Sequence, residues 1–172
     1  MSKTSLSQLN AMDESQFVAT VGPVFEHSPW IAQRTFPKRP FASVASLHER
    51  LVATVRVSAE SEKLGLIRAH PDLVSKMARE GVLTRESTAE QRAAGLTALS
   101  SAEVKQFDHY NAAYREQFGI PFIICARENR KDVILAAFPV RLKNTREAEI
   151  DTALGEIYKI ARLRLIDAID ED

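Results

Sequence analysis

His70 is the residue whose setting in this sequence best suits proton-transfer chemistry. Leu64 and Ile67, three residues apart, predict a short amphipathic helix that ends at His70 because Pro71 follows. Proline disfavours the helical conformation for the residue before it, so the imidazole should lie at the helix end. Since imidazole ionises near neutral pH, an imidazole on a fixed backbone suits general acid–base chemistry. The alternative is that Pro71-Asp72 is only a helix stop followed by the start of the next helix.

Glu90 has a structural explanation that needs no chemistry. Ser87 and Glu90 have the spacing of a capping box, in which the glutamate carboxylate accepts a hydrogen bond from the backbone N–H of the serine. By itself this pattern predicts a helix that starts at Ser87, and it assigns no catalytic role to Glu90.

Arg164 falls on the apolar stripe of the last predicted helix, which runs from about Arg146 to about Ile169 with Thr145 as its N-cap. Arginine is rarely buried without a partner. The side chain therefore either reaches the surface or an ion-pair partner, or binds a carboxylate or another anionic group in a pocket. The other residues of this stripe are Ile150, Leu154, Ile157 and Ala161. Their spacing does not decide between these alternatives.

Other common catalytic signatures are missing from the sequence. The 4 histidines lie far apart and the single cysteine has no second cysteine to pair with, so no zinc-ligand spacing occurs. There is no phosphate-binding glycine loop and no serine in a nucleophile elbow. Cys125 stands in an apolar run that predicts an unreactive buried thiol. A histidine, a glutamate and an arginine remain, which suits acid–base chemistry on a small anion without a metal or cofactor.

Composition predicts an ordinary soluble globular protein. The chain has 172 residues, of which 45% are hydrophobic and 27% charged, and its formal net charge is +0. This length fits a single domain over residues 1–172. The balanced charge argues against a nucleic-acid-binding protein. Because no apolar run approaches about 20 residues and the N-terminus lacks a signal-peptide core, we expect no membrane association and a cytoplasmic location.

Helical periodicity and capping residues predict an all-α fold. Capping residues predict helix starts at Asp13, at Ser28-Pro29, at Ser43 and at Ser100. Residues 120–126 form an apolar run with no second convincing strand to pair with, so we expect one buried extended segment that crosses the core.

Several further residues within these elements carry predictions of their own. Trp30 should be a core residue, since large aromatic side chains dominate buried area. After Pro71, a short helix that carries Val74 and Met77 should end near Gly81. Pro139 should bend or end the helix predicted over Lys131–Leu142.

Asn111 interrupts the otherwise apolar stripe of the helix that Ser100 opens. A buried amide must find hydrogen-bond partners. A structural hydrogen bond to a neighbouring loop is the expected role.

These motifs, taken together and in order, resemble the OHCU decarboxylases of uric-acid breakdown, whose substrate is 2-oxo-4-hydroxy-4-carboxy-5-ureidoimidazoline. The resemblance covers almost the whole chain. It is carried by Phe25-Glu-His-Ser-Pro-Trp-Ile-Ala32, Ala69-His-Pro-Asp-Leu73, Ser87-Thr-Ala-Glu-Gln-Arg-Ala-Ala-Gly-Leu96, the run Asn111–Arg127, and Ile157-Tyr-Lys-Ile-Ala-Arg-Leu-Arg-Leu165.

The resemblance implies an all-helical carboxy-lyase that uses no cofactor, binds a small-molecule substrate and forms (S)-allantoin. It implies His70 as the catalytic histidine, Glu90 as the active-site glutamate and Arg164 as the active-site arginine. Arg162 stands two residues away, and the resemblance leaves a shifted assignment open, although the helical stripe favours Arg164. The residues that it implies as the pocket lining are Pro71, Ser87 and the backbone of Phe122 and Ile123.

A function from a different class is a J-domain-like co-chaperone or another helical interaction module, because His70-Pro71-Asp72 is also the signature tripeptide of J-domains. Those domains usually carry a basic helix before the tripeptide, whereas Glu60 and Glu62 here balance Lys63 and Arg68. The charge pattern therefore favours the decarboxylase.

Exposed helix faces allow a homodimer.

Overall fold

The computed structural model describes residues 3–75, 80–81 and 83–171. The chain divides into two compact units, the first comprising Met1–Ala69 with Tyr158–Asp172 and the second comprising His70–Ile157. The all-α prediction is confirmed, because the only strands in the described part are two residues long. These strands, β1 (Thr4–Ser5) and β2 (Ile169–Asp170), pair in parallel within the first unit.

The first unit holds the N-terminal helices and the end of the last helix. Its helices are α1 (Leu6–Ala11), α2 (Glu14–Val21), α3 (Trp30–Thr35), α4 (Val44–Arg56) and α5 (Glu60–Ala69).

The second unit contains every predicted site residue except Arg164, and it holds the remaining helices. They are α6 (Arg85–Ala93), α7 (Ser101–Phe118), α8 (Lys131–Arg141) and the beginning of α9 (Arg146–Ala168), whose last turns belong to the first unit. A short 3-10 turn spans Ala126–Glu128.

Local capping chemistry explains most helix ends. Capping boxes start α2 at Asp13, α4 at Ser43 and α7 at Ser100, as the sequence predicts. Thr145 caps α9 by accepting a hydrogen bond from the backbone N–H three residues on. Gly119 ends α7 in a left-handed conformation with φ 70°, which glycine adopts without steric cost.

The start of α3 differs from the prediction. The helix begins at Trp30 with Pro29 at the N-cap, and Ser28 does not cap it with its side chain. Trp30 is only half-buried, so its assignment to the core is wrong. The Arg34 guanidinium lies 4.7 Å from the centroid of the indole ring, and this cation–π contact covers a side chain that the core does not enclose.

The predicted extended segment is confirmed as a buried stretch without helix or strand over residues 121–125. Pro139 does not end α8, which continues to Arg141. A proline this close to the end of a helix removes only one backbone hydrogen bond near a terminus that frays anyway.

The structure contradicts the short helix predicted after Pro71 at Val74, the first residue assigned to it. Val74 has φ 56°, which is the left-handed region and not a right-handed helix. Met77 lies outside the described residues. None of the helices in the described part of the chain combines the length and the apolar character that a membrane span requires.

Candidate active site

His70 lies immediately after the last residue of α5, where the sequence predicts it. Its side chain is buried, with 6% of the residue exposed. Pro71 follows and ends the helix. The imidazole is therefore fixed at a helix end and largely shielded from solvent.

The turn that follows His70 is tied to two helices of the second unit. Asn111 of α7 donates from Nδ2 to the carbonyl oxygen of Leu73 at 2.8 Å, which confirms the predicted loop contact of this buried amide. The backbone N–H of Val74 donates to Oε1 of Gln91 on α6 at 3.0 Å. Helices α6 and α7 thus hold the chain a few residues beyond the imidazole.

The predicted capping box at Ser87 and Glu90 is wrong. Helix α6 begins at Arg85, and its N-cap is Thr84, whose hydroxyl oxygen accepts from the backbone N–H of Ser87 at 3.2 Å. Ser87 is thus the third residue of the helix and is buried, while Glu90 lies in the helix interior and is half-buried. Glu90 therefore does not cap α6, because a residue that far into a helix lies beyond the cap positions.

Phe122 and Ile123 lie buried in the extended segment. The guanidinium of Arg141 donates from Nη1 to the carbonyl oxygen of Ile123 and lies 4.3 Å from the centroid of the Phe122 ring. Arg141 therefore fixes the backbone that the sequence resemblance assigns to the pocket lining.

Arg141 is itself held by a buried polar cluster. Its Nη2 lies 2.7 Å from Oε2 of Glu149, which is fully buried at 0% exposure. The Tyr114 hydroxyl donates to the same carboxylate, and Asn144 donates from Nδ2 to the other carboxylate oxygen at 2.7 Å. Burial and, after it, the hydrogen bond to Glu149 raise the pKa of Tyr114, so its hydroxyl keeps its proton.

Sequence reasoning missed this cluster, although one signal for it exists. Arg141 continues the buried stripe Ile134, Phe138 of α8 by one helical step, as Arg164 does on α9. A cation on an apolar stripe indicates a buried partner in both places. Glu149 carries no comparable local signal, since an acidic residue in the first turn of a helix is ordinary.

Arg164 is buried in the first unit, and Arg162 is exposed. The Nη2 atom of Arg164 lies 3.0 Å from Oε1 of Glu26, and its Nη1 donates to the carbonyl oxygen of Pro23 at 3.4 Å. Glu26 is buried as well, at 3% side-chain exposure. Of the alternatives left open by the sequence, the ion pair is present; binding of an anionic substrate group stays a prediction.

Helix α6 connects the predicted site residues of the second unit. Gln91 joins it to the turn after His70, and α6 also contacts the Ala126–Glu128 turn that ends the extended segment. The segments so joined carry His70, Pro71, Ser87, Glu90, Phe122 and Ile123. Arg164 belongs to the first unit.

Comparison with known proteins identifies the family. The model of the OHCU decarboxylase family matches residues 10–166. The chain belongs to the OHCU decarboxylase family. Among its relatives, a 2-oxo-4-hydroxy-4-carboxy-5-ureidoimidazoline decarboxylase of Haloferax volcanii is 37% identical over 172 residues, which is 100% of both chains. A relative of the same name from Mus musculus is 37% identical over 162 residues, covering 94% of this chain and 91% of its own.

Solved structures agree with this family assignment. A crystal structure of (S)-allantoin synthase superposes with a TM-score of 0.79 at 29% identity, over 97% of this chain and 55% of the other. A crystal structure of OHCU decarboxylase in the presence of (S)-allantoin has a TM-score of 0.68 at 20% identity, covering 91% of this chain and 97% of the other, and shows the shared fold. Family membership decides against the J-domain-like alternative.

Proposed function

We propose that this protein is a carboxy-lyase that converts 2-oxo-4-hydroxy-4-carboxy-5-ureidoimidazoline to (S)-allantoin in urate catabolism. The observation that carries the proposal is a sequence match over the full length of both chains. The matching relative is named a 2-oxo-4-hydroxy-4-carboxy-5-ureidoimidazoline decarboxylase. A buried imidazole at a helix end, joined through α6 to a buried pocket-lining segment, supports it.

The substrate carries its own electron sink. The carboxylate stands on a carbon that also bears a hydroxyl group and adjoins a ring C=N bond. As the carbon–carboxylate bond breaks, its electron pair forms a C=C bond and the C=N pair moves to nitrogen, which takes up a proton. The hydroxyl then loses its proton to become the carbonyl, and the neighbouring carbon gains a proton on one face. This route needs no pyridoxal or thiamine cofactor to accept the electrons.

His70 accepts or relays the hydroxyl proton in this proposal, because an imidazole can both accept and donate a proton and Pro71 fixes the backbone of this one. Glu90 accepts hydrogen bonds from the ureido or ring N–H groups and so fixes the orientation of the substrate. The absence of a cap role for its carboxylate favours this assignment.

Arg164 holds a carbonyl or other oxygen on which negative charge develops. A tight ion pair with the departing carboxylate would stabilise the ground state and slow its loss, so the arginine has to favour charge that appears later. The ion pair with Glu26 supports a fixed orientation of the guanidinium. The residues proposed to line the site beside His70 and Glu90, all in the second unit, are Pro71, Ser87 and the backbone of Phe122 and Ile123.

The test uses substrate made freshly by uricase and the hydrolase that follows it, because the decay of its circular dichroism signal reports turnover. We expect the wild-type protein to accelerate this decay and to leave the signal of (S)-allantoin. The absence of acceleration over the spontaneous rate would overturn the proposed function.

His70→Ala should lower kcat roughly 10²- to 10⁴-fold, the usual loss for a general acid or base. The same circular dichroism assay measures it, and a far-ultraviolet spectrum with a thermal melt serves as the folding control. A folded variant that loses less than about threefold would remove His70 from the acid–base role.

The remaining assignments complete the proposal. The protein acts in the cytoplasm as one domain over residues 1–172, on a small molecule and not on nucleic acid, and it forms a homodimer through exposed helix faces. Light scattering at several concentrations tests the dimer, and a monomeric mass throughout would contradict it.

A further inference from the structure

Hydrogen bonds to side chains of α6 and α7 hold the chain that follows the predicted catalytic histidine. We define residues 70–74 as the His70 turn. We propose that Asn111 and Arg115, neighbouring residues on one face of α7, are positioning residues that act on His70 through this turn. The inference rests on the proposed function, since it assigns a purpose to the placement of His70.

The contact made by Asn111 is buried. Its Nδ2 donates to the Leu73 carbonyl oxygen at 2.8 Å, and 7% of each residue is exposed. A hydrogen bond shielded from water is stronger than an exposed one, and its loss leaves a carbonyl oxygen unpaired. This bond therefore restrains the backbone of the turn and not merely a side chain.

Arg115 lies one helical turn beyond Asn111, so the two side chains leave α7 on the same face. Its Nε donates to Oδ2 of Asp72 at 2.8 Å, and the side-chain exposure of Asp72 is 19%. Between this anchor and His70 stands only Pro71, whose φ is fixed by its ring. A restraint on Asp72 is thus transmitted to His70 through few free torsions.

Val74 shows that the turn is held against its own conformational preference. Its φ of 56° is left-handed, which a β-branched side chain disfavours. Its N–H donates to Gln91 Oε1 at 3.0 Å and the residue is 3% exposed, so α6 and the core hold it in place. Such strain persists only where the surroundings over-determine the backbone, and it accumulates at functional sites.

The chemistry of these contacts also favours placement over stability. Asp72 Oδ1 and Asn111 Oδ1 are buried and accept no hydrogen bond within the described part of the chain. Partly satisfied polar groups stabilise a fold less than apolar packing does. A turn selected for stability alone would be better served by apolar side chains on this face of α7.

The test is a comparison of kcat and KM in variants of α7. Asn111→Leu keeps the approximate volume and removes the donor, and Arg115→Met removes the cation. We expect kcat to fall roughly 10- to 100-fold, because small misplacements of a catalytic group have effects of this size. KM should change less than about threefold, since both residues are proposed to act through the turn and not on substrate. Arg115→Lys should recover most of kcat because it keeps a cation near Asp72.

Lys131→Met is the matched control. Nζ of Lys131 on α8 lies 2.6 Å from Oε1 of Glu103 on α7. The substitution therefore also breaks an ion pair of α7, but one that does not involve the His70 turn. We expect its kcat to equal that of the wild type. A core variant such as Phe17→Leu, at a residue that is 0% exposed and packs on Phe36 and Phe41 in the first unit, controls for lost stability when it is assayed well below its melting temperature.

The outcomes separate this inference from the proposed function. Wild-type kcat in folded Asn111→Leu and Arg115→Met variants, beside an inactive His70→Ala variant, would overturn the inference and leave the function intact. Equal loss of kcat in Lys131→Met would also overturn it, because any weakened α7 would then suffice. No turnover by the wild type would overturn both. If Asn111→Leu fails to fold, the half-exposed Arg115 decides through its Met and Lys variants.

Discussion

Glu90 does not have the capping role that its spacing from Ser87 predicts. Thr84 caps α6, so the Glu90 carboxylate does not serve the helix start that the Ser87 spacing predicts. Glutamine has nearly the same shape as glutamate and keeps one acceptor oxygen, and a half-buried carboxylate contributes little to stability.

Glu90→Gln should therefore leave the free energy of unfolding within about 0.5 kcal/mol of the wild type. The same variant should lose at least about tenfold in kcat/KM, since one acceptor oxygen becomes a donor toward substrate N–H groups, a loss of roughly 1.4 kcal/mol at the transition state. Thermal melts and kinetics decide it. Glu86→Gln on the same helix is the control, and full activity in Glu90→Gln would remove Glu90 from the site.

Arg164 has an observed structural partner, the buried carboxylate of Glu26. Arg164→Met should destabilise the protein by about 3–5 kcal/mol, since it leaves the Glu26 carboxylate buried without its cation. Arg162→Met changes an exposed residue and should stay within about 0.5 kcal/mol. Chemical denaturation measures both.

The double variant Arg164→Met with Glu26→Gln separates structure from catalysis. It should recover much of the lost stability, because no uncompensated charge stays buried. Its activity should remain low if Arg164 binds substrate. A double variant that regains both stability and activity would reduce Arg164 to a structural residue.

Helices α4 and α9 meet within the first unit at His48. Its Nε2 lies 2.8 Å from the Tyr158 carbonyl oxygen, and burial lowers the pKa of the imidazole below its usual value. The neutral ring thus joins one helix to the backbone of the other. Below pH 6.5 or so the unfolded chain binds a proton that the folded one resists, so stability falls as the pH falls through this window.

His48→Gln should flatten this dependence, because glutamine can still donate to the Tyr158 carbonyl oxygen but does not titrate. We expect melting temperatures near that of the wild type at pH 7.5, and a smaller decrease than the wild type shows on going to pH 5.5. Melts across this range check it. An equally steep decrease in the variant would mean that other groups control the acid sensitivity.

For the molecule as a whole, the proposed chemistry depends on positioned side chains acting on a substrate that accepts its own electrons. The residues with proposed roles come from distant parts of the chain, since His70 follows α5, Glu90 lies on α6 and Arg164 lies near the end of α9. Their proposed contribution is placement and proton transfer, and the sequence holds no recognisable metal-ligand spacing.

Exhaustive chelation should therefore leave the rate of decarboxylation within about twofold of the untreated enzyme. The circular dichroism assay before and after dialysis against a strong chelator measures this. Activity that disappears and returns with zinc or manganese would contradict the cofactor-free mechanism.

The sequence by itself determined the features that depend on neighbouring residues. The helix starts at Asp13, Ser43 and Ser100 follow from side chains that bond to the backbone three residues on, so they are readable locally. Helix phase is equally local, and it placed Asn111 and Arg164 on buried faces. The order of the motifs was sufficient to predict the family.

Tertiary structure decided which partner each buried polar group has. Glu26 is 138 residues from Arg164 and Glu149 is 35 from Tyr114 in sequence, and no periodic pattern connects residues so far apart. The choice of Thr84 over Ser87 as a cap has a related cause. Both hydroxyl groups can start a helix, and the buried contacts of Ser87 and Gln91 exist only in the folded protein. Local sequence therefore allows several partners or caps, and the folded structure decides between them, because a buried polar group without a partner costs free energy.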